Sequence, residues 1–176
     1  MSQPCLPDWV ADPALSGVWA RVRTRFEAAG LVADGRTVVS LASRSERHAL
    51  GNLLGRPVMR QRVAVDLAEL DARLHARSGV GGLAEVLRRV SGADLVDRPG
   101  RRAAIAARRE EPLELARELI GGPWVADWLA GLRRSGLLSR REHGVRIVRE
   151  AAGVLDAVLG TGGAPRSRTE LAAHVV

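Results

Sequence analysis

Between residues 41 and 87 the chain alternates helix starts, helix stops and a strand so closely that few assignments are open to it. Ser43 and Glu46 have the spacing of a capping box, in which the serine oxygen accepts an orphan amide and the glutamate reaches back to the cap amide. A helix is predicted from there, with Ala49, Leu50, Leu53 and Leu54 on one face. Gly55 stands where a left-handed C-terminal cap belongs, and Pro57 bars continuation. Arg62-Val63-Ala64-Val65-Asp66-Leu67 then alternates like a half-buried strand. Asp66 to Glu69 repeats the capping-box spacing ahead of Leu67, Leu70 and Leu74. Gly79, Gly81 and Gly82 end that helix, and Leu83, Val86, Leu87 and Val90 begin another.

Upstream, Asp12-Pro13 is a helix start, with aspartate as cap and proline where its missing amide costs nothing. Leu15, Val18, Trp19, Val22 and Phe26 follow at helical spacing toward a core, and Gly30 closes the helix. Asp34-Gly35 signals a turn, and Arg36 to Leu41 is a second strand that can pair with Arg62 to Leu67. This order fits a winged-helix-like module and other small α+β packings alike.

Beyond Gly92 the pattern is wholly helical. Pro112 is expected to open a short helix with Leu113, Ala116, Leu119 and Ile120 inward. Pro123 starts another, whose Trp124, Val125, Trp128, Leu129 and Leu132 form one apolar face, with both tryptophans read as core. A last long helix turns Val145, Val148, Ala152, Leu155 and Leu159 inward. Residues 161–165 read as a linker, and Ser167 with Glu170 as the start of a further helix. The expected fold class is therefore α+β and predominantly helical: a small two-stranded sheet with flanking helices, then a helical subdomain. The expected divisions are a disordered tail over 1–12, an α+β module over 13–92, a helical subdomain over 93–160, and a linker with the start of a helix over 161–176.

With 46% apolar residues the chain can bury a core, but at 3% aromatic content leucine, valine and alanine must fill it. No apolar run reaches the roughly eighteen residues of a membrane span, and the N-terminus lacks the pattern of a signal peptide. A cytoplasmic location and no membrane partner are expected. The lone Cys5 has no internal disulfide partner and no nearby histidine to activate it.

The net charge is +7 and every one of the 27 basic side chains is arginine. That excess suggests a polyanion, although a GC-rich genome also favours arginine codons. The densest cluster is Arg98, Arg101, Arg102, Arg108 and Arg109, interrupted by Ala103-Ala104-Ile105-Ala106-Ala107 and followed by Glu110 and Glu111. Taken as one helix, these arginines read as too scattered to share a face. A second basic region gathers Arg133, Arg134, Arg140, Arg141, Arg146 and Arg149.

Catalytic constellations are missing. His48, His75, His143 and His174 stand singly, without metal-ligand spacing. The glycines at 79, 81 and 82 fit neither a Walker loop nor a dinucleotide fingerprint. Glu110, Glu111, Glu114 and Glu118 read as a solvated helix face. No cofactor and no metal are expected.

The succession LLGRPV, a basic strand, DLAELDARL, a glycine turn and GLAEVLRRVSG resembles the N-terminal region of the JetD-like proteins, nuclease subunits of bacterial Wadjet plasmid-defence systems, in their actinobacterial type. The likeness spans roughly residues 13 to 159 and consists mostly of apolar framework and glycine. It implies metal-dependent DNA cleavage in a C-terminal Toprim domain carrying a glutamate and a D-x-D pair, and no D-x-D occurs in these 176 residues. The chain is therefore expected to be the front part of something longer and not itself an enzyme.

The expected function is a DNA-contacting and subunit-contacting region. Arg101, Arg102, Arg108, Arg109, Arg140 and Arg141 would meet the backbone of double-stranded DNA, and SMC-like complex subunits or self-association would supply protein contacts. The alternative is a protein-interaction or dimerisation module that docks through Trp124 and Trp128 and binds no nucleic acid.

Overall fold

The computed structural model describes residues 5–136 and 143–159. It is predominantly helical, with one two-stranded antiparallel sheet among the described residues. The chain forms two compact units that divide after Arg101.

The first unit opens with a helical turn, α1, over Asp8–Ala11. Val10 in it is fully buried, and the Trp19 indole Nε1 donates to the Val10 carbonyl at 3.0 Å. The core therefore reaches into a segment expected to be a disordered tail. The turn thus supplies the acceptor that this buried indole donor needs. Asp12 does cap at Pro13, but what it caps is a single 3-10 turn, Pro13–Leu15, leading into α2 at Ser16–Ala28.

Strand β1, Arg36–Ser40, pairs with β2, Arg62–Asp66, in the register Arg36↔Asp66 to Ser40↔Arg62. The strands are joined through α3, Arg44–Leu54, and not by a hairpin turn. The Ser43–Glu46 capping box is complete in both directions, and Gly55 ends α3 in the left-handed conformation at φ 63°. Asp66 closes β2 and caps α4, Leu67–Arg77, by accepting from the amides of Ala68 and Glu69 at 3.1 and 3.2 Å. Helix α5, Leu83–Ser91, follows, its first amide bonded to the Asp71 carboxylate at 2.6 Å. Leu15, Trp19, Phe26, Leu50, Leu53, Val65, Leu70, Leu74, Leu83 and Leu87 all share one core.

Helix α6 runs unbroken over Arg98–Leu119. Asp97 starts it by accepting from the Gly100 amide at 2.8 Å, with Pro99 in the first turn, where no amide is missed. Pro112 therefore lies inside the helix, which corrects the expectation that it opens a new one. Its ring removes the amide that would bond the Arg108 carbonyl, and that carbonyl lies on an exposed stretch where water can replace it. Pro112, Leu113 and Ala116 are all buried, and Leu113 and Ala116 belong to the second core, so apolar burial offsets the lost bond.

In the second unit, α7, Val125–Ser135, and α8, Gly144–Leu159, complete that core with Val125, Leu129 and Val148. Two inward assignments fail. Leu119 is 49% exposed and Trp124 is 42% exposed, because the core takes Ile120 and Val125 beside them. The expected linker at 161–165, the Ser167–Glu170 helix start and His174 lie outside the described residues. No described helix is long and apolar enough to cross a membrane.

Candidate nucleic-acid interface

An α-helix advances about 100° and 1.5 Å per residue. Measured from Arg98, the positions of Arg101, Arg102, Arg108 and Arg109 on a continuous α6 are about −60°, +40°, −80° and +20°. All five arginines thus occupy an arc of about 120°, which corrects the expectation that they scatter. The spacings of three, four and seven that separate them are the helical repeat itself.

Each residue from Arg101 through Arg109 is exposed. Ile105, 46% exposed, falls within the arginine arc between the two pairs. Ala103, Ala104, Ala106 and Ala107 cover the rest of the stretch with methyl groups, so its girth is small.

Arg98 differs from the others. It donates to the Glu27 carboxylate at 3.1 and 3.3 Å and is fixed in the first unit. Arg101, Arg102, Arg108 and Arg109 form no ion pair with any other described residue. Nor do the following acids neutralise them: Glu110 pairs with Arg133 of α7, and both Glu110 and Glu111 fall outside the arginine arc. Arg146 pairs with Glu150 at 3.4 Å. Arg140 and Arg141 lie outside the described residues.

Glu27 is 4% exposed and receives Arg23 at 2.9 Å, Arg98, and the Val96 amide at 3.3 Å. Burial pushes its pKa upward, but the bonds from Arg23, Val96 and Arg98 outweigh that and hold it below the ordinary value of 4.5. The base of α6 is thereby clamped to α2.

The first unit carries a second basic concentration that was not singled out from the sequence. Arg44 and Arg47 on α3, Arg56 in the following loop and Arg77 at the end of α4 line a hollow of about 920 Å³ together with Trp9 and His48. Arg44 and Arg47 stand three apart on a helix, which was visible. The approach of Arg56 and Arg77 depends on tertiary structure and was not.

Among the described residues no group of three or more histidine, cysteine or acidic side chains is arranged to hold a metal ion. No curated protein and no solved structure matches the chain. A family profile described as "Protein of unknown function N-terminus (DUF3323)" matches residues 33–176, which is well over half of the sequence. That match includes both strands, the hollow's arginines on α3 and α4 and the whole of α6, and on its extent the chain belongs to the DUF3323 N-terminal family.

Proposed function

We propose that this chain is a non-catalytic, DNA-contacting and subunit-contacting N-terminal region of a JetD-like defence nuclease, and that the exposed arginine face of α6 meets the backbone of double-stranded DNA. The observation that carries the reading is the four arginines on one arc of an exposed helix with no acid paired to them. Arginine matches phosphate oxygens bidentately, and unpaired guanidiniums surrender no existing ion pair on binding.

Arg101 and Arg109 are about 12 Å apart along the axis, comparable to the roughly 12 Å width of the major groove. Two arginines at each end can therefore reach phosphates on the two strands that flank it. Between them on that face stands Ile105, an apolar side chain that can lie against the groove, while the alanines fall on the flanks and far side of the helix. Contacts of this type read charge and form, so binding should be indifferent to base sequence. This suits a defence protein that responds to the form of DNA, as the JetD resemblance implies. Cleavage in that family belongs to a Toprim domain, and SMC-like subunits or a second copy of this chain are the protein partners the resemblance suggests.

Electrophoretic mobility shifts with several unrelated duplexes test the proposal. Similar affinity for all of them, lost by at least about 100-fold in an Arg101→Glu, Arg102→Glu, Arg108→Glu, Arg109→Glu variant, is the expected result. Unchanged affinity in that variant removes the α6 reading.

A second reading, a protein-docking module, has one observation in its favour. Trp124 is 42% exposed and meets Trp128 edge to face at 5.8 Å, so an aromatic edge is available on α7. Val125 and Leu129 on the same helix are core, which leaves Trp124 as the exposed large apolar side chain at this helix.

A further inference from the structure

The hollow in the first unit combines features that α6 lacks. Its twelve lining residues include Arg44, Arg47, Arg56, Arg77 and His48 but no aspartate or glutamate. None of these four arginines forms an ion pair with a described residue. Arg77 is instead held over the Trp9 ring, 5.3 Å from its centroid, a cation–π contact that restrains the guanidinium and leaves its edge free to donate. A fifth arginine stands behind the loop: a side chain at Gly55 would overlap the Arg73 guanidinium, so the glycine admits this charge as well as the left-handed turn. Like charges gathered in a concave surface without a counter-ion repel one another, and a bound polyanion relieves that repulsion.

We propose that this hollow is a second, separate phosphate-binding site, and that its ligand is a short stretch of nucleic-acid backbone. The chemistry is that of clustered phosphates carried on a partly apolar body. Guanidiniums from α3, the 55–59 loop and α4 converge from three elements, as a run of phosphates requires. Trp9, Val58 and Met59 supply apolar wall for sugar or base, and Met59 is 85% exposed at the rim. The volume, about 920 Å³, is at the upper end for a small-molecule pocket, and the hollow is open, which suits a segment of a longer polymer. A free nucleotide offers the same phosphates, and the test separates the two sources. The site lies wholly in the first unit and stands whether or not α6 contacts DNA.

The test uses the full chain and fluorescence anisotropy of a labelled 20-nucleotide single strand, a labelled duplex and a labelled ATP, with pyrophosphate as competitor of each. The variants are Arg44→Ala, Arg47→Ala, Arg56→Ala together; a milder Arg44→Gln, Arg56→Gln pair at two exposed positions, which stays informative if the triple variant misfolds; and a charge-matched Arg21→Ala, Arg117→Ala, Arg149→Ala control. The expected result is a loss of at least about tenfold for strand or duplex in the triple variant. The slope of log affinity against log salt should become shallower by about 2 to 3, and the control should stay near wild type. If ATP and pyrophosphate bind in a hollow-dependent way while the strands do not, the phosphate site stands and its ligand is a free nucleotide. If hollow variant and control are indistinguishable for every probe, the proposal is overturned. Loss for every probe in the α6 glutamate variant alone overturns the hollow and leaves the α6 reading intact; loss in the hollow variants alone does the reverse.

Discussion

Replacing Glu27 by glutamine keeps the shape of the side chain and removes its charge. The carboxylate takes four bonds, three from the guanidiniums of Arg23 and Arg98 and one from the Val96 amide, at 2.9 to 3.3 Å. Glutamine offers one acceptor oxygen and turns an amide nitrogen toward a guanidinium, so at least one charge-assisted bond is lost and one donor is set against another. Breaking a fully buried pair costs about 3–5 kcal/mol. Arg98 is half exposed and recovers water, which lowers the expected cost of Glu27→Gln to about 2–3 kcal/mol. For a unit of about 100 residues this corresponds to a Tm lower by roughly 10 to 20 °C. Urea unfolding followed by circular dichroism at pH 7 measures it.

The pH dependence follows from the lowered pKa of Glu27. A group whose folded value lies below its unfolded one contributes its stability above the unfolded value, here 4.5, and loses it as pH falls through the folded value. The gap between wild type and Glu27→Gln should therefore be full at pH 7 and should close as pH drops below about 4.5. Glu85, which pairs with Arg89 at 2.7 Å on the surface of α5, is the comparison, and Glu85→Gln should leave stability within experimental error. If Glu27→Gln is as silent as Glu85→Gln, or its deficit does not shrink in acid, the clamp at the base of α6 is not structural.

Two further expectations concern the fold. Gly55→Ala should cost about 1–2 kcal/mol in urea unfolding, since alanine must adopt φ near 63° and displace the Arg73 guanidinium; a neutral result would mean that the loop after α3 relaxes freely. Trp124→Phe should lower the iodide-quenchable tryptophan fluorescence to what the partly exposed Trp9 and Trp128 contribute, whereas Trp19→Phe, at a residue 4% exposed, should leave that component intact. If Trp124 resists quenching, its face is covered in solution by another surface, and the protein-docking reading gains ground.

Local chemistry made much of the first unit readable. Ser43 with Glu46, Gly55, and Asp66 are each specified by neighbours within a few residues, and each occupies its expected role. Pairing of the two strands followed because each carries its own period-two pattern ending at a turn or cap. The second unit was harder. Pro112 has the usual position of a helix start, but the cap that starts this helix is Asp97, fifteen residues earlier, and the burial of Leu113 and Ala116 carries the helix through the proline. Periodicity placed Trp124 with the core because it shares a helix face with Trp128, and only packing could decide that Val125 would be the buried neighbour.

The basic face of α6 is legible in the spacing of its arginines. Offsets of 3, 4, 10 and 11 from Arg98 return to one side of any single helix, so the expectation of scatter failed on the angles themselves and owed nothing to Pro112, which follows the last of these arginines. The hollow in the first unit is a different case. Arg56 and Arg77 are 21 residues apart in sequence, and nothing local brings either to α3.

The most direct test of the account is the salt dependence of duplex binding, measured by anisotropy from about 50 to 200 mM, for wild type and for an Arg101→Ala, Arg102→Ala, Arg108→Ala, Arg109→Ala variant. Each phosphate neutralised contributes about 0.9 to the slope of log affinity against log salt, so four contacts should make the variant's slope shallower by about 3.6. Over that range the missing contacts alone correspond to about a 150-fold difference in salt sensitivity. A slope that drops by about this amount, with the helical content of the variant unchanged, is the result expected of a backbone-contacting α6. Identical slopes and affinities for the two proteins would contradict it.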